Sequence, residues 1–503
     1  MRIGGLASGM DIDQLVSDLM RTERLPLDKL NQQKQLLEWQ RDDYREMNTL
    51  LKELDTFIFE GIDREGNLLS KTTVSSDDSV VTAIADSSAS DISTEIEVLN
   101  LAKPATWISD GTANFMAGTN RTISLSVTNG DGTVSNNITV DISDTDTLDN
   151  VIKKLNDTKE LDLNIFHDSE TNKVVITSNE PGAQSQIMID DPETEAFFQE
   201  IGFTAVAGAE LGDTDGNGVI DGSDAPIKTS GEDAAFVING LSTTRSSNEF
   251  KINGVSYTLK GESPGTKVSI STSTDTDKIV DTVVQFVAKY NEIIDTINGK
   301  LSESRNRDYP PLTNEQMQAM SETEIELWEA QAKSGLIRND SMLSSGLNQL
   351  RIDLYSPVSV DNGSIMLNDL GINTTKDYLE NGKLEIDEFT LREKIAEDPE
   401  AVYELFNAEG SSHESKGLAT RLRDTLSTTM EQIVEKAGNP LKTDEQFSIG
   451  KNLVSIDEQI DSFEDRLIQI EDRYWRQFTA MEQAIQRANE QSAYLLEQFG
   501  GGY

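Results

Sequence analysis

Apolar positions recur with a helical period at both ends of this chain and with a strand period through its middle. Leu30, Leu37, Tyr44, Leu51 and Ile58 stand seven residues apart. Near the other end Ile456, Ile460, Phe463, Leu467, Ile470 and Tyr474 alternate steps of four and three. A seven-residue apolar repeat keeps one seam turned toward a partner helix. The spacing predicts a short first helix from Asp11, with Ile12, Leu15, Val16 and Leu19 on one face and Asp11 or Ser8 as its cap. Pro26 is expected to end it, because the residue before a proline is pushed out of helical geometry. A second helix then runs from about 26 to 60. Its alternate seam positions are Gln33, Gln40, Met47 and Leu54, so the seam is half polar early and apolar late. The last helix, from about 452 to 498, carries one stutter between Tyr474 and Phe478, which locally unwinds a supercoil.

The middle reads differently. Strands are expected at 80–84, 95–98, 121–128, 137–142, 174–177, 236–238, 250–252, 255–259 and 267–271. Asn239-Gly240 and Asn253-Gly254 favour positive φ and predict hairpins. A short helix opens at Thr147 and ends near Leu155. At Thr276 the period turns helical again, with Ile279, Val283, Phe286, Tyr290, Ile293, Ile297 and Leu301 as a core stripe. Further helices are expected near 340–353, 388–407 and 414–437. The pattern therefore predicts a multidomain α+β chain. Its terminal helices pair as a coiled-coil-like stalk, with a helical leg domain and strand-rich head domains inserted between. The expected division is 1–45 with 455–503 as terminal legs, and 46–71 with 276–454 as a helix-rich leg domain. Residues 72–105 with 229–275 form one head domain, and 106–228 a second.

Composition narrows the function. The chain has 503 residues, 36% of them hydrophobic, which suits several modest cores better than one large one. Its formal charge is −46, from 89 acidic and 43 basic residues. Such a chain repels phosphate backbones and anionic membranes, so neither nucleic-acid binding nor membrane insertion is expected. It has no cysteine, which excludes disulfides, thiolate metal sites and Cys nucleophiles. Two histidines, His167 and His413, leave little material for a His-based catalytic centre. P-loop, nucleophile-elbow and H-E-x-x-H motifs are absent, and no enzyme is expected. Trp107 and Trp328 read as local packing rather than a sugar platform. The first residues, Met1 to Gly9, have no apolar core of a signal peptide, and residues 1–10 are expected to be disordered alone.

One segment carries metal chemistry. Asp213, Asp215, Asn217, Val219, Asp221 and Asp224 stand at positions 1, 3, 5, 7, 9 and 12 of a calcium loop, with Gly218 at position 6. Ca²⁺ takes six to eight hard oxygens, and this loop can converge that many. The last ligand is Asp, as in dockerin modules, and the flanks do not read as EF-hand helices. A structural calcium is expected here, against the plainer reading of an acidic turn in an acidic chain.

Several segments in order resemble the flagellar filament cap family, the FliD or hook-associated protein 2 proteins. They are Gly5-Leu6-Ala7-Ser8-Gly9-Met10-Asp11; Pro26-Leu27-Asp28-Lys29-Leu30; Trp39-Gln40-Arg41-Asp42; and Ile96 to Ala102. Arg245-Ser246-Ser247-Asn248, Leu370-Gly371-Ile372, Gly382 to Asp387, and Asp398-Pro399-Glu400-Ala401-Val402 with Leu405-Phe406 continue the series. Residues 121–178 resemble a module also inserted in flagellins. The resemblance implies a capping protein that forms a ring, commonly a pentamer, at the distal tip of the flagellum. There it promotes polymerisation of exported flagellin and prevents its loss. It also implies type III export without a cleaved signal, an extracellular location, and dealings with hook–filament junction proteins and an export chaperone. The seams are then assembly residues: Leu30, Leu37, Tyr44, Leu51, Ile58, Ile460, Phe463, Leu467, Ile470 and Tyr474. Two other readings stay open: a tip adhesin whose head binds glycan or mucin, and a flagellin-like filament or junction subunit.

Overall fold

A computed structural model describes residues 9–213, 220, 227–360, 363–377 and 380–500, with side chains as far as Leu496. The expectation for residues 1–8 lies outside the described residues. The chain divides into a helical unit, Met1–Leu68 with Asp277–Tyr503, and a strand-rich unit, Leu69–Thr276.

In the helical unit one helix runs unbroken over Ile12–Glu60, with Asp11 as N-cap and Pro26 inside it. The expected break at Pro26 does not occur. Proline deletes one i→i−4 bond, which normally costs about 3 kcal/mol in a helix interior. Here Met20 before it and Leu27 after it both pack into the cluster built on the C-terminal helix, which holds the two flanks in line. That C-terminal helix spans Ser448–Gly500, starting earlier than the pattern predicts. The two run antiparallel: Tyr474 Oη donates to Glu23 Oε1 at 2.9 Å, and Lys34 Nζ lies 2.7 Å from Asp457.

Between them lies the larger core of the unit. The Thr276–Ser302 helix buries the whole predicted stripe from Ile279 to Leu301. The Ser341–Tyr355 and Leu418–Ala437 helices close over it. The single helix expected over 388–407 is two, Glu388–Glu397 and Pro399–Asn407. Pro399 sits at the start of the second, where its missing N–H is harmless, and Asp398 caps it through the Ala401 N–H at 3.0 Å. The helix expected from 414 opens at Leu418, after a short 3₁₀ turn at His413–Ser415. Two small antiparallel strand pairs, Val358–Val360 with Gly363–Ile365 and Ile372–Thr374 with Leu384–Ile386, also belong to the unit. The second is fixed by Asn291, whose side-chain amide exchanges two 2.8 Å hydrogen bonds with the Leu384 peptide.

Among the described residues the strand-rich unit contains fifteen strands. They are β1 Lys71–Ser75, β2 Val81–Ala85, β3 Ser93–Asn100, β4 Thr106–Ile108 and β5 Arg121–Thr128. Next come β6 Val134–Ile142, β7 Leu163–Asp168, β8 Lys173–Ser178, β9 Gln186–Ile189 and β10 Lys228–Thr229. The last are β11 Ala234–Ile238, β12 Leu241–Arg245, β13 Glu249–Ile252, β14 Val255–Leu259 and β15 Val268–Thr274. They form sheets in the orders β1-β15-β3-β11-β12, β13-β14-β2, β10-β4-β8-β7 and β6-β5-β9. Both Asn-Gly pairs sit in two-residue hairpin turns, with φ of 47° and 85° at 239–240 and 49° and 79° at 253–254. The first two sheets enclose one core, including Ile96, Val98, Phe236, Tyr257 and Ile270. The other two, with the Leu148–Asp157 and Pro192–Glu200 helices, enclose a second that includes Trp107, Leu125, Ile176 and Phe197. The helix over Pro192–Glu200 and the strands β1, β4, β7, β9 and β10 lie outside the segments that the sequence pattern predicts.

Candidate functional site: the paired terminal helices

The seven-residue series does not meet one partner along its length. Tyr44, Leu51 and Ile58, with Met47 and Leu54 from the alternate positions, are buried in the main core of the helical unit. Leu37 packs at its margin, and Leu30 is half-buried. Gln33 is exposed, and Gln40 instead donates to the Leu336 carbonyl at 3.0 Å. The contact between the terminal helices is a separate cluster. Ile12, Val16 and Met20 meet Leu467 and Ile470, with Leu27, Phe463, Tyr474, Trp475 and Phe478 half-buried around them. Ile460 is buried nearby in sequence but belongs to neither cluster.

An ion pair, Lys34 with Asp457, links the same two helices beyond this cluster. The hydrogen bond to Asp457 holds the Lys34 ammonium above the ordinary lysine range, against the opposing pull of desolvation. Both groups remain partly exposed, so the pair contributes modestly. Beside the seam an open groove is lined by Met20, Leu25, Leu27, Leu467 and Ile468, with Arg21, Arg24 and Glu464 at its edges. Leu25 and Ile468 are 55% and 61% exposed.

Deeper in the unit, Asp340 ties three helices together. It caps the Ser341–Tyr355 helix through the Leu343 N–H at 3.0 Å, accepts from Tyr44 Oη at 2.8 Å and pairs with Lys436 Nζ at 2.8 Å. Burial alone would raise its pKa. The Leu343 N–H, Lys436 and Tyr44 together outweigh that and hold the carboxyl below its ordinary value. Burial, and then Asp340 itself, push the Tyr44 phenol far upward, so it stays a donor. A carboxyl with a depressed folded pKa stabilises fully above its unfolded value and loses that contribution as pH falls through the folded one. Denaturant melts from about pH 6 to about pH 3 should therefore show wild type losing more stability than Asp340→Asn. Parallel curves would remove Asp340 as a source of the acid sensitivity.

The remaining sequence candidates fall elsewhere. Asp213 is buried in the strand-rich unit, its N–H donating to the Glu210 carbonyl at 3.0 Å. Asp215, Asn217, Val219, Asp221 and Asp224 lie outside the described residues. Among the described residues no group of three His, Cys, Asp or Glu side chains is placed to hold a metal. Trp107 is fully buried in the second core of its unit, and Trp328 donates to the Pro310 carbonyl at 2.8 Å. His413 faces the buried Asp353 carboxylate at 3.3 Å. Among the described residues no helix is long and apolar enough to cross a membrane. Sequence reasoning missed Asp340 and Asn291. An Asp before a predicted helix signals a cap, but nothing local signals the long-range partners.

The chain can now be set beside known proteins. Residues 8–105 match the family model for the flagellar hook-associated protein 2 N-terminus, and residues 231–490 that for its C-terminus. The flagellar hook-associated protein 2 of Halalkalibacterium halodurans is 34% identical, over 99% of this chain and all of that protein. The A-type flagellar hook-associated protein 2 of Pseudomonas aeruginosa is 26% identical, over 98% of this chain and 96% of that one. Among solved structures, the D1-D2-D3 domains of the flagellar cap protein FliD from Escherichia coli superpose with a TM-score of 0.55. That match covers 82% of this chain and 99% of the other at 18% identity, a likeness of fold. With family models matching both ends and a full-length relative at this identity, the chain belongs to the flagellar hook-associated protein 2 family.

Proposed function

We propose that this chain caps the growing flagellar filament, sitting at its distal tip and promoting the polymerisation of exported flagellin. The observation that carries this reading is the full-length likeness to a flagellar hook-associated protein 2, with matches to both family models. The fold shared with the flagellar cap protein FliD of Escherichia coli supports it. The role is structural: copies assemble as a ring, about five to the ring, and the ring holds flagellin subunits as they arrive. Hook–filament junction proteins and an export chaperone are its other partners, and the chain leaves the cell unfolded through the flagellar export channel. The four-part division of legs, leg domain and two head domains is the working frame for that role.

Deleting the gene should abolish filament growth and spill flagellin monomers into the medium. Full-length filaments with no spilled flagellin would overturn the reading. Counting copies along a filament separates a cap, with a few at the tip, from a shaft subunit.

The calcium loop is part of this proposal as a staple within the strand-rich unit. A ligand that binds only the native state raises stability by mass action. Adding Ca²⁺ to the full chain should raise the melting temperature of that unit, and Asp213→Ala with Asp215→Ala should abolish the shift. An equal shift in both proteins would end the assignment.

A further inference from the structure

The edge of a β-sheet is a row of unpaired peptide groups, and folded chains usually blunt it. The strand-rich unit does so at almost every edge. Along β7 the Asn156 side chain exchanges two 2.8 Å hydrogen bonds with the Ile165 peptide. β9 is covered by the following chain, through Gly208 N–H to the Ile189 carbonyl and Leu211 N–H to the Ile187 carbonyl, both at 2.7 Å. β6 is kinked at Asn137, whose φ is 53°, and Lys154 donates to its Asp141 carbonyl at 3.0 Å. β1 and β2 lie side by side, the Thr73 hydroxyl donating to the Ala83 carbonyl. β10 is two residues long, and β13 alternates Glu249 with Lys251.

Among the described residues β12 has none of these protections. It is the outer strand of the five-stranded sheet and pairs with β11 alone, from Ile238↔Leu241 to Ala234↔Arg245. In a two-residue hairpin the pair flanking the turn exchanges both of its bonds, and alternate pairs follow. Leu241, Thr243 and Arg245 therefore bond inward, and the peptide groups of Ser242 and Thr244 point outward. One group answers them, the Arg245 guanidinium on the Thr244 carbonyl at 2.7 Å. Leu241 is 66% exposed, Ser242 and Thr244 are exposed, and no charge interrupts Leu241–Thr244.

We propose that β12 is a docking strand for an extended segment of incoming, still unfolded polypeptide, which adds to the sheet as a sixth strand. This rests on the capping reading. Strand addition draws its affinity from main-chain bonds and its selectivity from alternate side chains. The short hydroxyl side chains of β12 ask little of the arriving sequence, and Leu241 offers an apolar contact. The chain's charge of −46 selects an uncharged or basic segment over an acidic one. A second copy fits less well. Antiparallel pairing of β12 with itself closes a two-fold dimer, whereas a ring needs head-to-tail contacts.

The test uses the full chain and a fluorescein-labelled peptide of alternating valine and threonine ending in lysine. Hydrogen exchange at the Ser242 and Thr244 amides should slow about tenfold or more with the peptide present, with Thr243 unchanged. Ser242→Pro removes an outward donor and spares the β11 ladder, so it should weaken binding about tenfold or more, while Ser242→Ala binds as wild type. On the unaltered chain, the same peptide with paired consecutive prolines, which remove donors from both of its edges, should not bind, which guards against a misfolded variant. Equal binding of the proline peptide would overturn the proposal. So would protection of Ser242 and Thr244 that appears without peptide and rises with protein concentration, since the occupant would then be a second copy. Filament loss in the deletion strain is independent of these outcomes, so the two readings can fail separately.

Discussion

Leu51→Ala should lower the stability of the helical unit by about 3 kcal/mol, while Leu30→Ala should cost under about 1 kcal/mol. Both residues occupy the same seven-residue series, and a uniform coiled coil would make them equivalent. They differ in what surrounds them. Leu51 is 2% exposed and packed in the core that the Thr276–Ser302 and Leu418–Ala437 helices build. Truncating it removes the transfer free energy of a buried side chain and leaves a cavity that the rigid neighbours cannot fill. Leu30 is half-buried beside Phe463, where solvent reaches the space left behind. Chemical denaturation of the full chain, following the helical signal, gives both numbers. Equal losses would mean that the terminal helices form one continuous seam.

That contrast marks how far the sequence could be read. Periodicity located the terminal helices and the buried stripe of the Thr276–Ser302 helix, because both follow from which positions must leave water. The Asn-Gly turns fixed two hairpins, because positive φ is a local demand. Pro26 misled, since its local rule was overridden by packing on both sides of it against a helix more than four hundred residues away. The same limit applies to Asp340 and Asn291. Their partners, Tyr44 and Lys436 in one case and the Leu384 peptide in the other, come together only once the chain has folded. The seam residues were legible as apolar and periodic. Which of them face the core and which face the partner helix was not, because a seven-residue repeat names a face and not its neighbour.

Gly182→Ala should be the more damaging change in the strand-rich unit, costing more than about 4 kcal/mol, enough to separate or unfold its second core. The reason is a crossing of three glycine backbones. Gly182 has a φ of +128°, and a Cβ there would stand 2.4 Å from the Gly130 carbonyl oxygen. A Cβ on Gly130 would meet the Pro181 oxygen at 1.8 Å, and one on Gly231 the Gly182 oxygen at 2.1 Å. These contacts surround Lys103, whose carbonyl accepts from both Gly182 and Glu232, at 3.1 and 2.9 Å. Lys103 and Glu232 lie where the chain leaves one core of the unit and returns to it, between Ala102 and Ala105 on one side and Ile227 and Ala234 on the other. A methyl group at the crossing cannot be relieved by turning a side chain, because all its neighbours are backbone. Gly208→Ala is the control. Its φ of +85° carries the conformational penalty, but nothing lies within 4 Å of the added carbon, so about 1 kcal/mol is expected. Thermal melts of the two variants, with proteolysis of the 101–105 and 228–234 segments as a local readout, separate steric loss from backbone strain. Comparable losses in both would mean that the crossing can spread apart, and that the junction between the two cores is looser than the glycine contacts imply.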